Sequence, residues 1–354
     1  EWKFVAKIPV GILGATGAVG QKFILQLADH PWFEIQELAA SQRSSGKRYQ
    51  DAANWVQARP MPESVRDMVV KECRPDLQCK IAFSGLDSSV AGKIEEAFAQ
   101  EGHWVFSNAK NHRMDPDVPL LITELNPEHL EIIPRQQQNR GWKGAIITNP
   151  NCSAIVLALS IGPLHQSFEL ERVHVVTFQA ISGAGYPGVA SLDILGNVVP
   201  FIPGEEDKIE TESQKILGSV AEDGFEPADF IVSSHANRVP VEGGHLECVS
   251  RSLKRKASVE EVIGCWEEFR GPEQVQDLPS APAQPVVVVP EENRPQPRRD
   301  VEKYDGMSAL VGRVRECSLF DLKYVVLGHN TIRGAAGASV LNAELAVKTG
   351  LIEN

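Results

Sequence analysis

The 354-residue chain lacks the features that mark membrane-spanning, nucleic-acid-binding and disulfide-stabilised proteins. No run of about 18 uninterrupted apolar residues offers a membrane span. The 35 lysines and arginines are outnumbered by 47 acidic residues, and the net charge of -12 argues against a broad nucleic-acid footprint. Six cysteines are scattered without CxxC pairs, so the sequence signals neither a disulfide scaffold nor a zinc site, and no metal is expected. The expected partners are small molecules.

The start and the length of the chain predict a cytoplasmic protein with two domains. The first residues lead within a few positions into a core strand, which leaves no room for a signal peptide and predicts a reducing, cytoplasmic compartment. A chain of 354 residues exceeds one ordinary compact core. We predict a nucleotide-binding domain over residues 1–150, completed by a helix over 330–354, and a second domain over 151–329.

Residues 8–20, IPVGILGATGAVG, open what looks like a nucleotide-binding unit. Glycines 14, 17 and 20 follow a short apolar strand, and a helical pattern and a second strand come after them, as a βαβ unit requires. Glycines here let the chain turn tightly and let a pyrophosphate approach the start of a helix. We predict a dinucleotide site; the alternative is a glycine-rich turn in another α/β protein. The predicted contacts are Gly14, Thr16, Gly17, Ala18 and Val19.

The end of the second predicted strand indicates which nicotinamide cofactor binds. A carboxylate there would hold the ribose 2′-hydroxyl of NAD, whereas an arginine with hydroxyl groups suits the 2′-phosphate of NADP. Glu37 falls inside the strand, and the strand is followed by Ser41, Arg43 and Ser44. These three residues favour NADP; the alternative is a solvated basic loop.

Two later predicted strands end in polar residues. CKIAFSGL ends at Ser84 and Gly85, and HWVFSNAKNHRM ends in a loop that contains Arg113. Ligands collect at the carboxyl ends of parallel strands, so Ser84 and Arg113 are candidate site residues. The forked donors of arginine suit phosphate or carboxylate, although on its own Arg113 is more simply explained as a surface charge.

Cys152 lies between a polar turn, Asn149 to Asn151, and a long apolar run typical of a buried helix. This places the thiol in the first turn of the helix, where unpaired N–H groups and the helix dipole favour a thiolate. The alternative is a buried structural cysteine. A nucleophilic thiol needs a base or a favourable field, and one candidate base is His245.

His245 follows two glycines, and Arg238 precedes it by seven residues. In one extended segment this odd separation points the two side chains to opposite faces, so the glycines must break the register if both residues serve one pocket. A hydrogen-bonded structural histidine is the default interpretation.

The region after Cys152 changes character. Long alternating segments with few helices between them predict a mixed or antiparallel sheet in an α+β domain. The proline-rich stretch 279–297 contains VVVV, so we predict an extended excursion there, not a disordered linker. The last segment has a glycine turn and then a strong helical pattern, which we expect to pack on the nucleotide domain.

Seven motifs, in order, resemble the aspartate-β-semialdehyde dehydrogenase family, in particular its archaeal and fungal branch. They are GATGAVG, SNAKNHRM, NPNCS, FQAISGAG, ESQK, RVPVEGGH and NTIRGAAG, and they extend over nearly the whole chain. The resemblance implies a fold like that of glyceraldehyde-3-phosphate dehydrogenase, in which a Rossmann-type domain joins a catalytic and dimerisation domain with a mixed sheet. It also implies a homodimer or homotetramer. One departure is Ala154, where the branch has threonine; it does not touch the nucleophile.

The resemblance also implies residue roles. Cys152 would be the nucleophile, His245 the acid/base and Gln179 the group that orients the acyl intermediate. The substrate-binding residues would be Arg238 for the carboxylate, Glu212 for the amino group, and Lys215, Arg113 and Asn151 around the phosphate. Ser182, Gly183, Asn330 and Thr331 would lie along the nicotinamide half of NADP.

The implied reaction is the reversible, NADPH-dependent conversion of L-4-aspartyl phosphate to L-aspartate 4-semialdehyde through a cysteine thioacyl intermediate. It would serve the biosynthesis of threonine, methionine and isoleucine. A malonyl-CoA or succinyl-CoA reductase is the alternative within enzymes, because such reductases use the same cysteine and NADPH on a thioester. A non-catalytic NADP-binding regulator is the alternative outside them, but it would not need Cys152, Gln179 and His245 together.

Overall fold

The computed structural model describes residues 7–352. In that part of the chain the main elements are two six-stranded sheets and the helices that pack on them. Residues 1–6 and 353–354 lie outside the described residues. The first of these segments belongs to the predicted nucleotide domain and its predicted signal-free start, and the second belongs to the predicted C-terminal helix. The strands are β1 (Ile8–Leu13), β2 (Phe33–Ala40), β3 (Lys71–Glu72), β4 (Ile81–Ser84), β5 (Trp104–Ser107), β6 (Ala145–Thr148), β7 (Leu170–Gln179), β8 (Ser219–Ala221), β9 (Gly224–Glu226), β10 (Ile231–Arg238), β11 (His245–Leu253), β12 (Val286–Val289), β13 (Ala309–Glu316) and β14 (Leu322–Gly328). The helices are α1 (Ala18–Leu27), α2 (Tyr49–Ala52), α3 (Glu63–Arg66), α4 (Ser88–Glu101), α5 (Ile133–Arg140), α6 (Cys152–Phe168), α7 (Ser191–Ile194), α8 (Glu205–Ile216), α9 (Val259–Glu268), α10 (Glu273–Gln276), α11 (Pro297–Asp300) and α12 (Gly337–Lys348).

The first sheet has the order β3-β2-β1-β4-β5-β6, and all of its paired strands run parallel. The Rossmann-type sheet predicted from the sequence is therefore confirmed. Strand order reverses beside β1, which has β2 on one side and β4 on the other. Ligands bind at such a switch point because the loops leaving the two neighbouring strands diverge to opposite faces of the sheet and open a crevice.

The second sheet has the order β10-β7-β11-β14-β13-β12 and is mixed, as predicted. β10 runs parallel to β7 and β12 runs parallel to β13, whereas the pairs in the middle are antiparallel. The proline-rich stretch 279–297 contributes β12, which forms one edge of this sheet. α6 and α9 bury one face of the sheet in a shared apolar core.

α6 is apolar on all sides and buried from Ser153 to Leu164, which is the pattern of a helix enclosed in a core. Asn151 caps its first turn by accepting the N–H groups of Ser153 and Ala154 at 2.9 and 3.1 Å. A capped helix start stabilises the turn by about 1 kcal/mol and fixes where its first residue points. The first residue of α6 is Cys152.

The C-terminal segment packs into the core of the first sheet, with Val340 and Leu341 among the buried members. A short π-helical turn, Ile332–Ala336, precedes α12. From this turn Arg333 makes two hydrogen bonds to the Glu124 carboxylate, both 2.6 Å long, and both side chains are buried. The turn is therefore anchored beside the start of α6. No helix within residues 7–352 is long and apolar enough to cross a membrane.

Candidate active site

Cys152 and His245 lie side by side, with 3.1 Å between Sγ and Nε2. Cys152 begins α6 and His245 begins β11, so helix packing on the mixed sheet brings the two together. Glycines make room for both. A Cβ on Gly334 would lie 2.7 Å from Cβ of Cys152, and one on Gly183 would lie 3.0 Å from Cε1 of His245. The sequence predicted this pair, and the structure supplies its contact.

The His245 ring is oriented by the main chain. The N–H of Ala180 donates to Nδ1 at 3.1 Å, which assigns the proton of the neutral ring to Nε2, facing the sulfur. Burial and, after it, the positive charge of Arg238 lower the pKa of His245 to about 3. The ring is therefore a neutral donor toward Cys152.

The Cys152 thiol experiences opposing influences. Burial and, after it, the Glu205 carboxylate raise its pKa, whereas Arg113, Arg238 and Lys208 lower it, and the net pKa is about 12. The helix start also favours the thiolate. Burial prevails, which leaves the thiol protonated at neutral pH.

Asn151 stands between two matching pairs of charged side chains. Its N–H donates to Oε2 of Glu212 at 2.6 Å, and its side-chain amide donates to Oε1 of Glu205 at 2.8 Å. Each carboxylate holds a cation with its other oxygen: Arg113 at 3.0 Å on Glu212, and Lys208 at 3.1 Å on Glu205. Two cations thus converge on the residue that precedes the nucleophile.

Gln179 and Arg238 end the parallel strands β7 and β10, where they are register partners. Arg238 is buried and donates from Nη1 to the carbonyl oxygen of Ala180 at 2.8 Å. The connection from Arg238 to His245 passes from one side of β7 to the other, through Gly244 at a φ of 92°. The two residues therefore do not share one pleated segment, and the alternation argument from the sequence does not apply to them.

Lys215, a predicted phosphate ligand, is bound to the main chain. Its ammonium group donates to three main-chain carbonyl oxygens, those of Arg113 at 2.7 Å, Asp115 at 2.8 Å and Val118 at 2.9 Å. An ammonium has three N–H donors, so a phosphate would have to replace one of these acceptors, and its role there stays a prediction. Lys215 is buried and holds the loop that carries Arg113.

The glycine turn has the close backbone packing that a dinucleotide site needs. Gly14 has a φ of 75°, and a Cβ there would lie 2.8 Å from the carbonyl oxygen of Gly85. A Cβ on Gly20 would lie 2.3 Å from the carbonyl oxygen of Gly14. α1 begins at Ala18 after Gly17, without a side-chain cap, so the N–H groups of its first turn remain for a phosphate. The predicted contacts Thr16 to Val19 occupy this helix start.

Glu37 is unavailable to a ribose. It lies inside β2, is buried, forms an ion pair with Lys71, and accepts the N–H of Gln78 at 2.6 Å. The turn after β2 exposes Ser41 and Arg43 instead.

Two of the serines predicted to contact the cofactor are buried. Ser84 donates its hydroxyl to Glu95 at 2.6 Å, so its side chain already has a partner within the protein. Its place in the cofactor site stays a prediction, which would rest on its main chain at the end of β4. Ser44 is also mostly buried, behind Ser41.

The residues predicted along the nicotinamide half connect two walls of the site. Asn330 accepts the N–H of Gly244 at 2.8 Å and donates to the Ser182 hydroxyl at 2.9 Å. Gly183 packs against His245 and Arg238, where a Cβ would lie 2.8 Å from Nη1 of Arg238. Thr331 follows Asn330 and is partly exposed.

Sequence reasoning missed Glu205, Lys208 and the N–H of Ala180. Glu205, Lys208 and Glu212 are spaced three and four residues apart, which places them on one face of α8. That spacing was a usable signal. Nothing in the sequence marks the Ala180 N–H, because every residue except proline carries one.

A thiol beside an imidazole, in a chain that also has a dinucleotide-type turn, defines an oxidoreductase class in which a cysteine carries the acyl group and a nicotinamide carries the hydride. The chain matches the family described as "Semialdehyde dehydrogenase, NAD binding domain" over residues 9–133 and "Semialdehyde dehydrogenase, dimerisation domain" over residues 161–333.

Two relatives and one solved structure show which enzymes of this class the chain is similar to. The aspartate-semialdehyde dehydrogenase of Methanothermobacter thermautotrophicus is 53% identical over 342 residues, which cover 96% of this chain and 98% of that protein. The protein of the same name from Cryptococcus neoformans is 49% identical, covering 98% of this chain and 99% of its own. The crystal structure of the Candida albicans enzyme with NADP has a TM-score of 0.91 and 44% identity, covering 98% and 100% of the two chains. The chain belongs to the aspartate-semialdehyde dehydrogenase family, as the motifs predicted.

Proposed function

We propose that the protein catalyses the reversible NADPH-dependent conversion of L-4-aspartyl phosphate to L-aspartate 4-semialdehyde and phosphate. This step would serve the biosynthesis of threonine, methionine and isoleucine. The observation that carries the proposal is the 3.1 Å contact between the Cys152 sulfur and the His245 ring. Membership of the family and the cations around the thiol support it, because both substrates of the forward reaction are anionic.

NADP is the cofactor that the residues of the first domain fit better. Glu37 is occupied by Lys71 and Gln78, whereas Arg43 and Ser41 are exposed on the turn that follows β2. An exposed guanidinium suits a 2′-phosphate. The related Candida albicans enzyme was solved with NADP. We propose that Gly14, Gly17 and the first turn of α1 hold the pyrophosphate.

In the first step the Cys152 sulfur attacks the acyl carbon of aspartyl phosphate, a carbon–sulfur bond forms, the carbon–oxygen bond to phosphate breaks, and the thiol proton leaves with the phosphate as hydrogen phosphate. Of the first N–H groups of α6, those of Ser153 and Ala154 are capped by Asn151, and that of Asn151 is held by Glu212. The N–H of Cys152 therefore remains to donate to the oxyanion, an effect worth about 3 kcal/mol in other enzymes.

In the second step the thioester is reduced to a thiohemiacetal, which releases the aldehyde and regenerates the thiol. NADPH, when bound, supplies the hydride. On hydride transfer one proton from solvent reaches the carbonyl oxygen through His245, and as the carbon–sulfur bond breaks the ring passes that proton from the oxygen to the sulfur, which restores the thiol. Positioned proton donors contribute roughly 10²- to 10⁴-fold to such reactions.

Arg238 and Glu212 are proposed to fix the amino-acid end of the substrate. Arg238 is buried beside His245, and a buried guanidinium suits the substrate carboxylate. Glu212 is proposed to hold the amino group. Its carboxylate binds Arg113 and the N–H of Asn151, so binding of an ammonium requires an exchange of partners.

The test is phosphate-dependent reduction of NADP with L-aspartate 4-semialdehyde, run beside malonyl-CoA and succinyl-CoA with NADPH and repeated with NAD. Fast turnover of the semialdehyde that requires phosphate supports the proposal. Turnover of a thioester alone would reassign the protein as an acyl-CoA reductase that keeps the same cysteine. Absence of turnover with NADP bound would favour a regulator.

We further propose that a second copy of the chain covers the open face of the mixed sheet. Ile231 and Cys248 are exposed there, and Leu192 and Phe201, on the segment after β7, are 93% and 65% exposed. Exposed apolar groups of this size are typical of an interface. Light scattering should give at least twice the single-chain mass of 38.8 kDa, and a monomer would contradict the proposal. The six free cysteines support a reducing, cytoplasmic compartment.

A further inference from the structure

We propose that Gly334 and Arg333 are positioning residues for the nucleophile, Cys152. They belong to the segment 328–334, which runs from the last residue of β14 into the π-helical turn before α12. This segment fixes the distance between the Cys152 sulfur and the His245 ring. The inference rests on the proposed function only in that it takes Cys152 as the nucleophile.

The segment contacts both members of the cysteine–histidine pair. At its start, Gly328 is the register partner of His245 across the antiparallel strands β14 and β11. At its end, Gly334 lies against the first residue of α6, where a Cβ would be 2.7 Å from Cβ and 3.1 Å from Cα of Cys152. The segment therefore acts as a spacer between the sheet that carries the histidine and the helix that carries the thiol.

Gly328 packs against the same helix one turn further on. A Cβ on Gly328 would lie 2.2 Å from Cγ2 of Val156, and Val156 follows Cys152 by about one helical turn. Glycine thus allows a close approach at two points on one face of α6. Two contacts restrain the helix against tilting on the sheet, whereas one would let it pivot. A packed interior transmits any change at these contacts, because it has few voids to absorb it.

The ion pair between Arg333 and Glu124 holds the end of the segment. Its two hydrogen bonds are each 2.6 Å long, and both side chains are 1% exposed. A bidentate pair fixes direction as well as distance. The loop of Glu124 is bound in turn to α12, since Thr123 donates to Asn342 at 2.6 Å. The π-helical turn therefore cannot move away from Cys152 unless a buried ion pair breaks.

The same segment carries Asn330 and Thr331, which are predicted to lie along the nicotinamide half of NADP. Asn330 binds the N–H of Gly244 at 2.8 Å and the hydroxyl of Ser182 at 2.9 Å. A displacement of the segment would change the position of the thiol relative to His245 and to the hydride donor. A misplacement of about 1 Å costs roughly 10²-fold in the rate of such reactions.

Gly334→Ala tests the contact directly. Gly334 lies in a helical turn and its φ is not positive, so the backbone accepts alanine and only the contact with Cys152 opposes the methyl group. The methyl group would meet Cα and Cβ of the first helical residue, which cannot swing away as the end of a long side chain can. We expect kcat to fall by roughly 100-fold while the KM for the semialdehyde stays within about threefold, because Arg238 is not displaced.

The matched control is Gly264→Ala in α9, where a Cβ would have nothing within 4 Å. Its kcat should equal that of wild type. Gly334→Ala should melt within about 4 °C of wild type, because the helix propensity of alanine offsets part of the overpacking. A fall in kcat without a comparable fall in melting temperature separates positioning from stability.

The second readout is the rate at which iodoacetamide labels Cys152, which needs no substrate. Peptide mass spectrometry follows the labelling, with Cys317 in the same sample as the reference. Displacement of the sulfur from Nε2 of His245 removes a hydrogen bond to the thiolate, so labelling of Cys152 in Gly334→Ala should slow by about tenfold.

The ion pair is tested by removing both of its charges. Glu124→Gln combined with Arg333→Met leaves no unpaired charge in the interior, so the protein should fold, yet its kcat should fall by about tenfold because the turn is no longer held in one direction. Arg333→Lys, which keeps the charge and loses the second parallel bond, should lie between this variant and wild type.

The inference is overturned by a kcat of Gly334→Ala within about threefold of wild type. It is also overturned by a lower kcat with an unchanged rate of labelling at Cys152, which would place the effect on the cofactor and not on the thiol. Wild-type protein that labels at Cys152 but does not turn over the semialdehyde would contradict the proposed function instead.

Discussion

The glycine turn of residues 14–20 and the cluster around Cys152 present ligand-binding groups by different means. The turn offers backbone N–H groups at the start of α1, and close backbone contacts such as that between Gly14 and Gly85 shape it. The cluster offers side chains, and its members come from α6, α8, β7, β10 and β11. A site made of backbone needs one short segment, whereas a site made of side chains needs several elements packed in one way.

The two regions also differ in whether their charged side chains form ion pairs. Around Cys152 every carboxylate that touches Asn151 has a cation on its other oxygen, so the buried charges occur in pairs. The turn after β2 leaves Arg43 exposed without an ion pair in the described part of the chain. Buried charges must be paired to be tolerated, whereas an exposed guanidinium can remain unpaired until a ligand arrives.

The largest effect should come from removal of the nucleophile. Cys152→Ala should reduce turnover by roughly 10⁴-fold or more, since no other thiol lies beside His245, while the Kd for NADP stays unchanged. Steady-state assays and fluorescence titration with NADPH measure the two quantities. Cys317→Ala is the control, because that cysteine lies after β13 and should be dispensable. Substantial turnover by the Cys152 variant would remove it from the mechanism.

Arg238→Leu should have the next largest effect and separate substrate binding from chemistry. Loss of the guanidinium should raise the KM for L-aspartate 4-semialdehyde by about 10- to 100-fold, because a charged hydrogen bond to the carboxylate disappears. Arg238→Lys should recover part of that loss. The phosphate KM should change little, since Arg113 and Asn151, which are predicted to surround the phosphate, are linked through Glu212 and not through Arg238. An unchanged KM for the semialdehyde would exclude Arg238 from the substrate site.

Arg43→Ala should affect cofactor binding at the first region and leave the cluster around Cys152 unchanged. We expect its preference for NADP over NAD to fall by about tenfold, as one charge-assisted contact to the 2′-phosphate is lost. The KM for the semialdehyde should remain as in wild type. The ratio of kcat/KM for the two cofactors is the measurement. A preference equal to that of wild type would favour the solvated loop.

The smallest effect should be on the free energy of unfolding at acidic pH, and it should come from His129. Burial lowers the pKa of His129 to about 4, and the ring contacts the carbonyl oxygen of Gly218 just after α8. Between pH 6.5 and about 4 the unfolded chain binds the proton and the folded chain does not. The free energy of unfolding should therefore fall as the pH falls in this window, by about 2 kcal/mol at pH 5.

His129→Gln should flatten that dependence. Urea denaturation of both proteins at pH 7 and pH 5 provides the comparison, with the difference between the two pH values as the readout. Equal pH dependence in wild type and variant would show that this ring is not the group that titrates.

Local patterns in the sequence predicted much of this molecule. The glycine spacing at 14, 17 and 20, the helix start at Cys152 and the strand VVVV at 286–289 all follow rules that act within a few residues. The parallel and mixed sheets followed from the order and length of such segments. Roles beyond these came from resemblance of motifs, and the comparisons confirm the family.

Lys215 and Ser84 show where this reasoning stopped. Both have residue types suited to a ligand, yet one binds three carbonyl oxygens and the other binds Glu95. A polar side chain can be satisfied by a ligand or by the protein itself. Only the positions of distant residues decide between these outcomes.

The sequence by itself determined that Cys152 lies at a helix start and that a dinucleotide-type turn lies at residues 14–20. The tertiary structure decided which polar groups meet. It placed His245 at Cys152, Glu205 and Glu212 on either side of Asn151, and the Lys215 ammonium at main-chain carbonyl oxygens. The reason is the range of the forces: backbone preferences act between near neighbours, whereas burial and charge pairing act between whichever groups the packed sheets and helices bring into contact.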